Sequence, residues 1–449
     1  MLRRCAANLA SNARVRVTLP KRTKRMESNM RISSIIAVAL LLTLAGCATN
    51  QKVGEKDWFT AWAMSHNAKA TTPTMSGRTV RMILMPSISG NSVRVKLENT
   101  MGEAPVVFSG AYIGVAGEGA AVQEKSITRL TFAGKPGLSL TAGQGVYSDP
   151  VAFKINDFEK LSLSLDVQSA ADISTHHIGL RTNWSAAGAR ASDASAAGFE
   201  PLPEIPALNT GQWPFYWVAA LDVQSPETTG TIVLFGDSIT DGRCSTRDDQ
   251  GIVQPNLDQR WGDVLATRLA APPKREQKAI AIAAISGNRV LGRGNGPSAL
   301  ERLERDVLDR AGVTHVVFFE GTNDIAGNFS AAQVIAGTQQ IIALVRARGI
   351  KIIGATVIPR GRTAPMTGWT SANEAQRLAL NEWIRTKANF DAVIDFDALM
   401  KNGPVVKLVD GGSAPAIPTA WNCDGTHPNA AGYKAMGEFV DLRLFDSSR

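Results

Sequence analysis

The stretch Thr231–Gly242, TIVLFGDSITDG, constrains the fold of this chain more than any other. Thr231 to Phe235 are β-branched or apolar and read as a buried strand. Gly236-Asp237-Ser238 interrupts it where a strand of a parallel sheet would hand over to a helix. In an open α/β sheet the carboxyl ends of the strands face the ligand crevice, so Ser238 stands where a nucleophile is useful. A serine in such a turn also serves as a helix cap, and the turn alone leaves both roles open.

Three later stretches bear on the choice. Ile285-Ser286-Gly287-Asn288-Arg289 follows an apolar run from Ala279; Gly321-Thr322-Asn323-Asp324 follows the strand-like His315–Phe319; and Asp424-Gly425-Thr426-His427-Pro428-Asn429 lies near the end of the sequence. Each string is short, but four in this order at strand ends form a joint signal. Together they resemble the blocks of the SGNH hydrolases, also called GDSL esterases and lipases, over roughly residues 231–444. The resemblance implies a flavodoxin-like three-layer α/β/α domain and a serine esterase that needs no metal or cofactor.

The residue types fit that chemistry. A serine hydroxyl is a poor nucleophile at neutral pH and needs a base in hydrogen-bond reach, itself oriented by a third group. The resemblance assigns these roles to Ser238, His427 and Asp424, and the i, i+3 spacing lets one loop deliver both the base and its carboxylate. Asp241, on the nucleophile loop, is the alternative carboxylate. By the same resemblance the oxyanion donors are the backbone N–H groups of Ser238 and Gly287 and the side-chain amide of Asn323. The pKa of His427 is expected to be moved upward by Asp424. Glu320, charged at the end of an apolar strand, either binds backbone near the site or is solvated.

The length, 449 residues, favours two domains, and 44% apolar content suffices for two cores. The formal charge of +8 misleads: residues 1–30 hold eight basic side chains against Glu27 alone, so the remainder is near +1. No basic footprint for nucleic acid is left. From Met30 a second pattern begins, with Arg31 as the positive region, Ile32–Leu44 as the apolar region, and Leu44-Ala45-Gly46-Cys47 closing it. The apolar run is too short to span a membrane, which takes about 20 residues. It resembles a bacterial lipoprotein signal, the alternative being an ordinary secretory signal. On the lipoprotein reading residues 1–46 are removed, Cys47 carries the lipid anchor to the membrane, residues 1–29 reflect an over-extended start, and Ala48 directs the protein to the outer membrane of the bacterial envelope. Cys244 and Cys423 then remain in an oxidising compartment. Their loops converge if the triad forms, so they make a disulfide or stay as two free, partly buried thiols.

Residues 47–75 read as a tether, with Trp58 and Trp62 suggesting a short amphipathic turn or helix. Across roughly 76–226, segments such as Arg78–Leu84, Ser92–Leu97, Ala111–Val115, Ile127–Phe132 and Leu161–Val167 alternate apolar with polar residues between Gly, Asn and Pro clusters, the pattern of a β-sandwich. Residues 185–211 are an Ala/Ser/Gly/Pro run that reads as a long loop. His176 and His177 point to opposite faces of a strand and read as structural rather than as a metal pair.

Residues 228–446 alternate strands with helices at 261–269, 298–308, 331–348, 371–387 and 429–440. The loops 359–368 and 403–421 are candidates for the substrate rim, with Arg360, Trp369 and Trp421 as possible contacts. A β-sandwich beside an SGNH domain resembles enzymes that deacetylate polysaccharides, which makes an acylated glycan the expected substrate. A lipase or short-chain acylhydrolase is the alternative, although the second domain's sequence carries no long apolar lid. A glycan-binding protein on an idle hydrolase scaffold is a second class, opposed by the presence of all five motif residues.

Overall fold

The computed structural model describes residues 57–202, 213–248, 250–272, 276–361 and 368–446. The signal-like segment and Cys47 lie outside them, as do parts of the 185–211 run and of the 359–368 loop. No described helix is long and apolar enough to cross a membrane.

The site rests on a sheet of five parallel strands: β1 (Thr228–Gly236), β2 (Gln277–Ala284), β3 (Val313–Phe319), β4 (Lys351–Ala355) and β5 (Ala392–Ile394). Their spatial order is β2-β1-β3-β4-β5, every neighbouring pair parallel. The chain leaves β1 toward one edge and returns past it for β3, so the crevice opens at the carboxyl end of β1. Because helices cover both faces, β1 is apolar without alternation. Val233 and Phe235 pack into one layer with Val334 and Ile341, whereas Ile232 and Leu234 pack into the other with Trp261 and Tyr433.

Four longer helices supply those layers: α1 (Trp261–Ala270), α2 (Ala331–Ala347), α3 (Ser371–Thr386) and α4 (Ala430–Phe439). Ser330 with Gln333 and Thr370 with Asn373 form capping boxes that start α2 and α3. The parallel sheet flanked by helices is the expected α/β/α domain.

The N-terminal region is antiparallel and sandwich-like. One sheet pairs Trp58–Ala63, Val218–Gln224 and Gly90–Glu98, with Gly145–Tyr147 and Val151–Ile155 beside the last. The other is built on Arg78–Leu84, Leu161–Ala170 and Val106–Val115. Val80, Met82, Val93, Val95, Leu163, Leu165 and Trp217 meet in the core.

Three expectations for this region are corrected. Trp58–Ala63 is a strand, not a helical turn in a tether. It is buried nearly throughout: it pairs with Val218–Gln224 and also meets the α/β region, where Thr60 N–H donates to Ala311 O at 3.0 Å and Ala311 N–H donates to Thr60 Oγ1 at 2.9 Å. Aromatic residues buried on both faces suit a strand, and the i, i+4 spacing of the tryptophans carries no helical meaning there. The run beginning at Ser185 is also more than a loop. Trp184–Ala187 extends the second sheet and Glu200–Pro201 pairs outside it. Between them Arg190 and Ala191 N–H groups both donate to Asp166 at 2.9 Å, an external anchor that composition does not reveal. Of Ile127–Phe132, only Thr128–Arg129 pairs as a strand.

Candidate active site

Ser238 begins a four-residue helix, Ser238–Asp241, directly after β1, and Asp237 caps it by accepting Ile239 N–H at 2.9 Å. The turn places Ser238 Oγ 2.8 Å from His427 Nε2. His427 Nδ1 lies 2.9 Å from Asp424 Oδ2 and 3.0 Å from Oδ1. The loop holding both residues is self-braced: Asp424 Oδ1 accepts the N–H groups of Thr426 and His427, and Cys423 N–H donates to His427 O. Cys244 and Cys423 form a disulfide that joins this loop to the one following Ser238.

Electrostatics in the pair differ from the expectation. Burial pushes the His427 imidazole down, and the charges of Arg243 and Arg360 add to it; the hydrogen bond and charge of Asp424 oppose but do not reverse the shift. Burial alone would raise the Asp424 carboxyl, yet His427 and the two backbone donors hold it well below the usual carboxylate range. Asp241 does not serve as the orienting carboxylate. It turns away from His427 and accepts from Ser286 N–H at 2.9 Å and Ser286 Oγ at 2.8 Å.

The turn after β2 carries Gly287 at φ +78°, where a Cβ would come within 2.4 Å of the Asn295 amide. The positive φ favours glycine here, and a larger residue would also displace the Asn295 amide. Asn323 donates from Nδ2 to Asn288 O at 3.0 Å, and the amide nitrogen carries a second hydrogen. Asp324, next in the chain, accepts Val290 and Leu291 N–H groups at 2.9 Å each, so the turn after β3 clamps the turn after β2. Burial raises the Asp324 carboxyl to about 6 and that of Asp237 to about 7.

Residues 234–435 match the family described as GDSL-like Lipase/Acylhydrolase. This part of the chain is a GDSL-like lipase/acylhydrolase domain. It makes the protein a hydrolase. Among solved structures the chain is similar to a GDSL-like lipase from Bacteroides thetaiotaomicron VPI-5482 (22% identity, 48% of this chain and 87% of that one, TM-score 0.35). It is also similar to a carbohydrate acetylesterase family member from Sinorhizobium meliloti (18%, 48% and 97%, TM-score 0.36). A third is the aryl esterase of M. smegmatis in its inhibitor-bound form (17%, 46% and 94%, TM-score 0.36). No curated protein matches the chain.

Of the three substrate-rim residues in the GDSL-like domain, Trp369 is corrected. Trp369 is fully buried, its Nε1 donating to Glu374 Oε2 at 3.0 Å, and belongs to the core. A tryptophan beside a loop reads as a ligand contact only until α3 is seen to pack over it. Arg360 is 7% exposed, stacks over Trp369 at 5.2 Å and donates to Thr322 Oγ1 at 3.5 Å. It thus reaches the site as a buried charge. Trp421 is half-buried below the acid–base loop, where its carbonyl accepts Asn429 N–H.

Glu320 is neither solvated nor bound to backbone among the described contacts: it is buried and paired with Arg302 at 3.3 Å. Arg302 is a residue that the sequence reading missed. It reaches under the site to donate to Gly236 O, Ala283 O and Asn288 Oδ1, with its guanidinium 4.2 Å from the Phe235 ring centre. The one available signal was a charged residue on the apolar face of a helix.

Proposed function

We propose that this hydrolase is a serine esterase that cleaves carboxylic esters through an acyl-enzyme, with acetylated carbohydrate as its substrate class. The observation that carries the reading is the hydrogen-bonded chain from Ser238 Oγ through His427 to Asp424. In the proposed mechanism His427 Nε2 takes the Ser238 proton as Oγ attacks the ester carbonyl, and Asp424 supports the imidazolium. The oxyanion is held by the N–H groups of Ser238 and Gly287 and the free hydrogen of Asn323 Nδ2. Collapse returns the proton to the departing alcohol, and water activated by His427 then releases the acid and restores Ser238. No step calls for a metal or cofactor.

Support for a glycan comes from the surface beside Gly287. A groove of about 320 Å³ there is lined by Asn67, Ala68, His177, Arg293, Asn295 and intervening glycines. The amides, imidazole and guanidinium on its walls supply donors and acceptors of the kind that a hydroxylated substrate uses. The experiment is acetate release from a panel of acetylated glycans beside short-chain nitrophenyl esters, with fluorophosphonate labelling of wild type and Ser238→Ala. Labelling lost in Ser238→Ala, with glycan acetate released by wild type, supports the reading. No labelling of either protein refutes the esterase, and release from nitrophenyl esters alone refutes the glycan.

The lipobox-like segment supports an envelope location with an anchor at Cys47. Incorporation of labelled palmitate into wild type but not Cys47→Ser is the expected result, and equal incorporation removes this part of the reading.

A further inference from the structure

The oxyanion turn of the GDSL-like domain is held by residues from outside that domain. Asp241 receives Ser286, the residue just before Gly287, on Oδ2, and its Oδ1 lies 3.0 Å from His176 Nε2. His176 ends the short strand Ile173–His176 of the N-terminal region, and its Nδ1 is fixed 2.6 Å from Ser65 O. All three side chains are buried, His176 and Asp241 to 1% exposure. The same segment is tied down again where Arg260 donates to Asp241 O at 2.8 Å and to Gly179 O at 3.1 Å.

A second support reaches the turn from its other side. Asn67 Nδ2 donates to Asn295 O at 2.9 Å, and Asn67 Oδ1 accepts His177 N–H at 3.2 Å. Asn295 in turn lies directly against Gly287, and Gly296 packs on Asn67 so closely that a Cβ would sit 2.9 Å from the asparagine Cβ. Two adjacent residues of one strand end, His176 and His177, therefore feed two separate supports that converge on Gly287.

We infer that His176 and Asn67 are positioning residues for the oxyanion turn, so that the N-terminal β region completes the hydrolase site and is not a detachable module beside it. Neither residue touches the reacting atoms. His176 acts through Asp241 and Ser286, and Asn67 acts through Asn295. The catalytic consequence rests on the proposed role of Gly287 N–H, whereas the structural consequence does not. Displacement of a donor by about 1 Å is enough to cost on the order of 100-fold in turnover.

The test uses the full chain with His176→Ala, His176→Gln, Asn67→Ala, Asp241→Asn and the double variant His176→Ala with Asp241→Asn. Nitrophenyl acetate hydrolysis should show kcat lowered about 10-fold to 100-fold in His176→Ala, KM within about twofold of wild type, and partial recovery in His176→Gln, which keeps a side-chain donor. The double variant should lose little beyond Asp241→Asn, because both act along one path. Amide hydrogen exchange over residues 285–291 should speed up in His176→Ala and Asn67→Ala while the strands β1 and β3 stay protected. That readout is independent of turnover, so an inactive wild-type protein refutes the proposed esterase without deciding the positioning role. Unchanged exchange in folded variants, losses that multiply in the double variant, or an effect confined to KM each overturns the inference. Should His176→Ala fail to fold, Asn67→Ala and His176→Gln decide it by the same exchange measurement.

Discussion

Cys244 and Cys423 are joined with their Cα atoms 6.3 Å apart, so the loop that follows Ser238 is bonded to the residue just before Asp424. The bond closes a span of 179 positions, which by chain entropy removes on the order of 5 kcal/mol of unfolded-state freedom. Alkylation of the unreduced, denatured protein followed by peptide mass analysis should leave both thiols unmodified. Replacing both by serine should lower the denaturation midpoint and reduce turnover, since the base is then placed by its own loop alone. Two alkylated thiols in the untreated protein would refute the bond.

The pH profile follows from the downward shift of His427. As a base the imidazole acts only when neutral, and the neutral form dominates above its pKa. Burial lowers that pKa, so kcat/KM should rise through a midpoint below the ordinary 6.5 and be level from about pH 7 upward. A midpoint above 6.5 would show that Asp424, not burial, dominates the free site.

Asp424→Asn should leave the fold intact while lowering turnover strongly, because the imidazole loses the partner that orients it and supports its charge. Added to Ser238→Ala it should cost almost nothing further, since members of such a unit are not additive. Asn323→Ala should cost about 100-fold to 1,000-fold as a lost oxyanion donor. Steady-state kinetics on folded variants reads all three, and near wild-type turnover of Asp424→Asn sinks the assignment.

Trp369→Ala should act on stability instead of specificity. The side chain is fully buried and its Nε1 holds Glu374, so truncation should destabilise by about 3–5 kcal/mol. Urea denaturation measures the loss. A stable variant with altered preference among esters would return Trp369 to the substrate rim.

What could be read in the sequence was whatever a local pattern encodes. The apolar run before Gly236 is local, and the four short blocks that carry the family resemblance are local too; from them Ser238, His427 and Asp424 were singled out, and the structure brings these three into hydrogen-bond contact. The helices at 261–270, 331–347 and 371–386 fell close to their expected bounds because caps and periodicity are equally local. The residues misread or missed are those defined by distant partners. Trp369 depends on the helix that covers it, Arg302 on carbonyls at the ends of two strands, and Asp241 on a histidine 65 positions upstream. The pKa of His427 depends on how much of the chain surrounds it, which the adjacent Asp424 gave no means of judging.

The strand Trp58–Ala63 has a consequence for the order in which the molecule can be made. Its partner, Val218–Gln224, comes just before β1, so the first described strand has nothing to pair with until most of the β region has been synthesised. Such distant pairing slows folding, because the chain must close a long loop before any contact repays it. A nascent chain stopped short of residue 218 carries Trp58 and Phe59 on an unpaired edge, the kind of surface that recruits strands from other chains. The first described strand of this fold thus gains its hydrogen-bonded partner only once Gln224 has been synthesised.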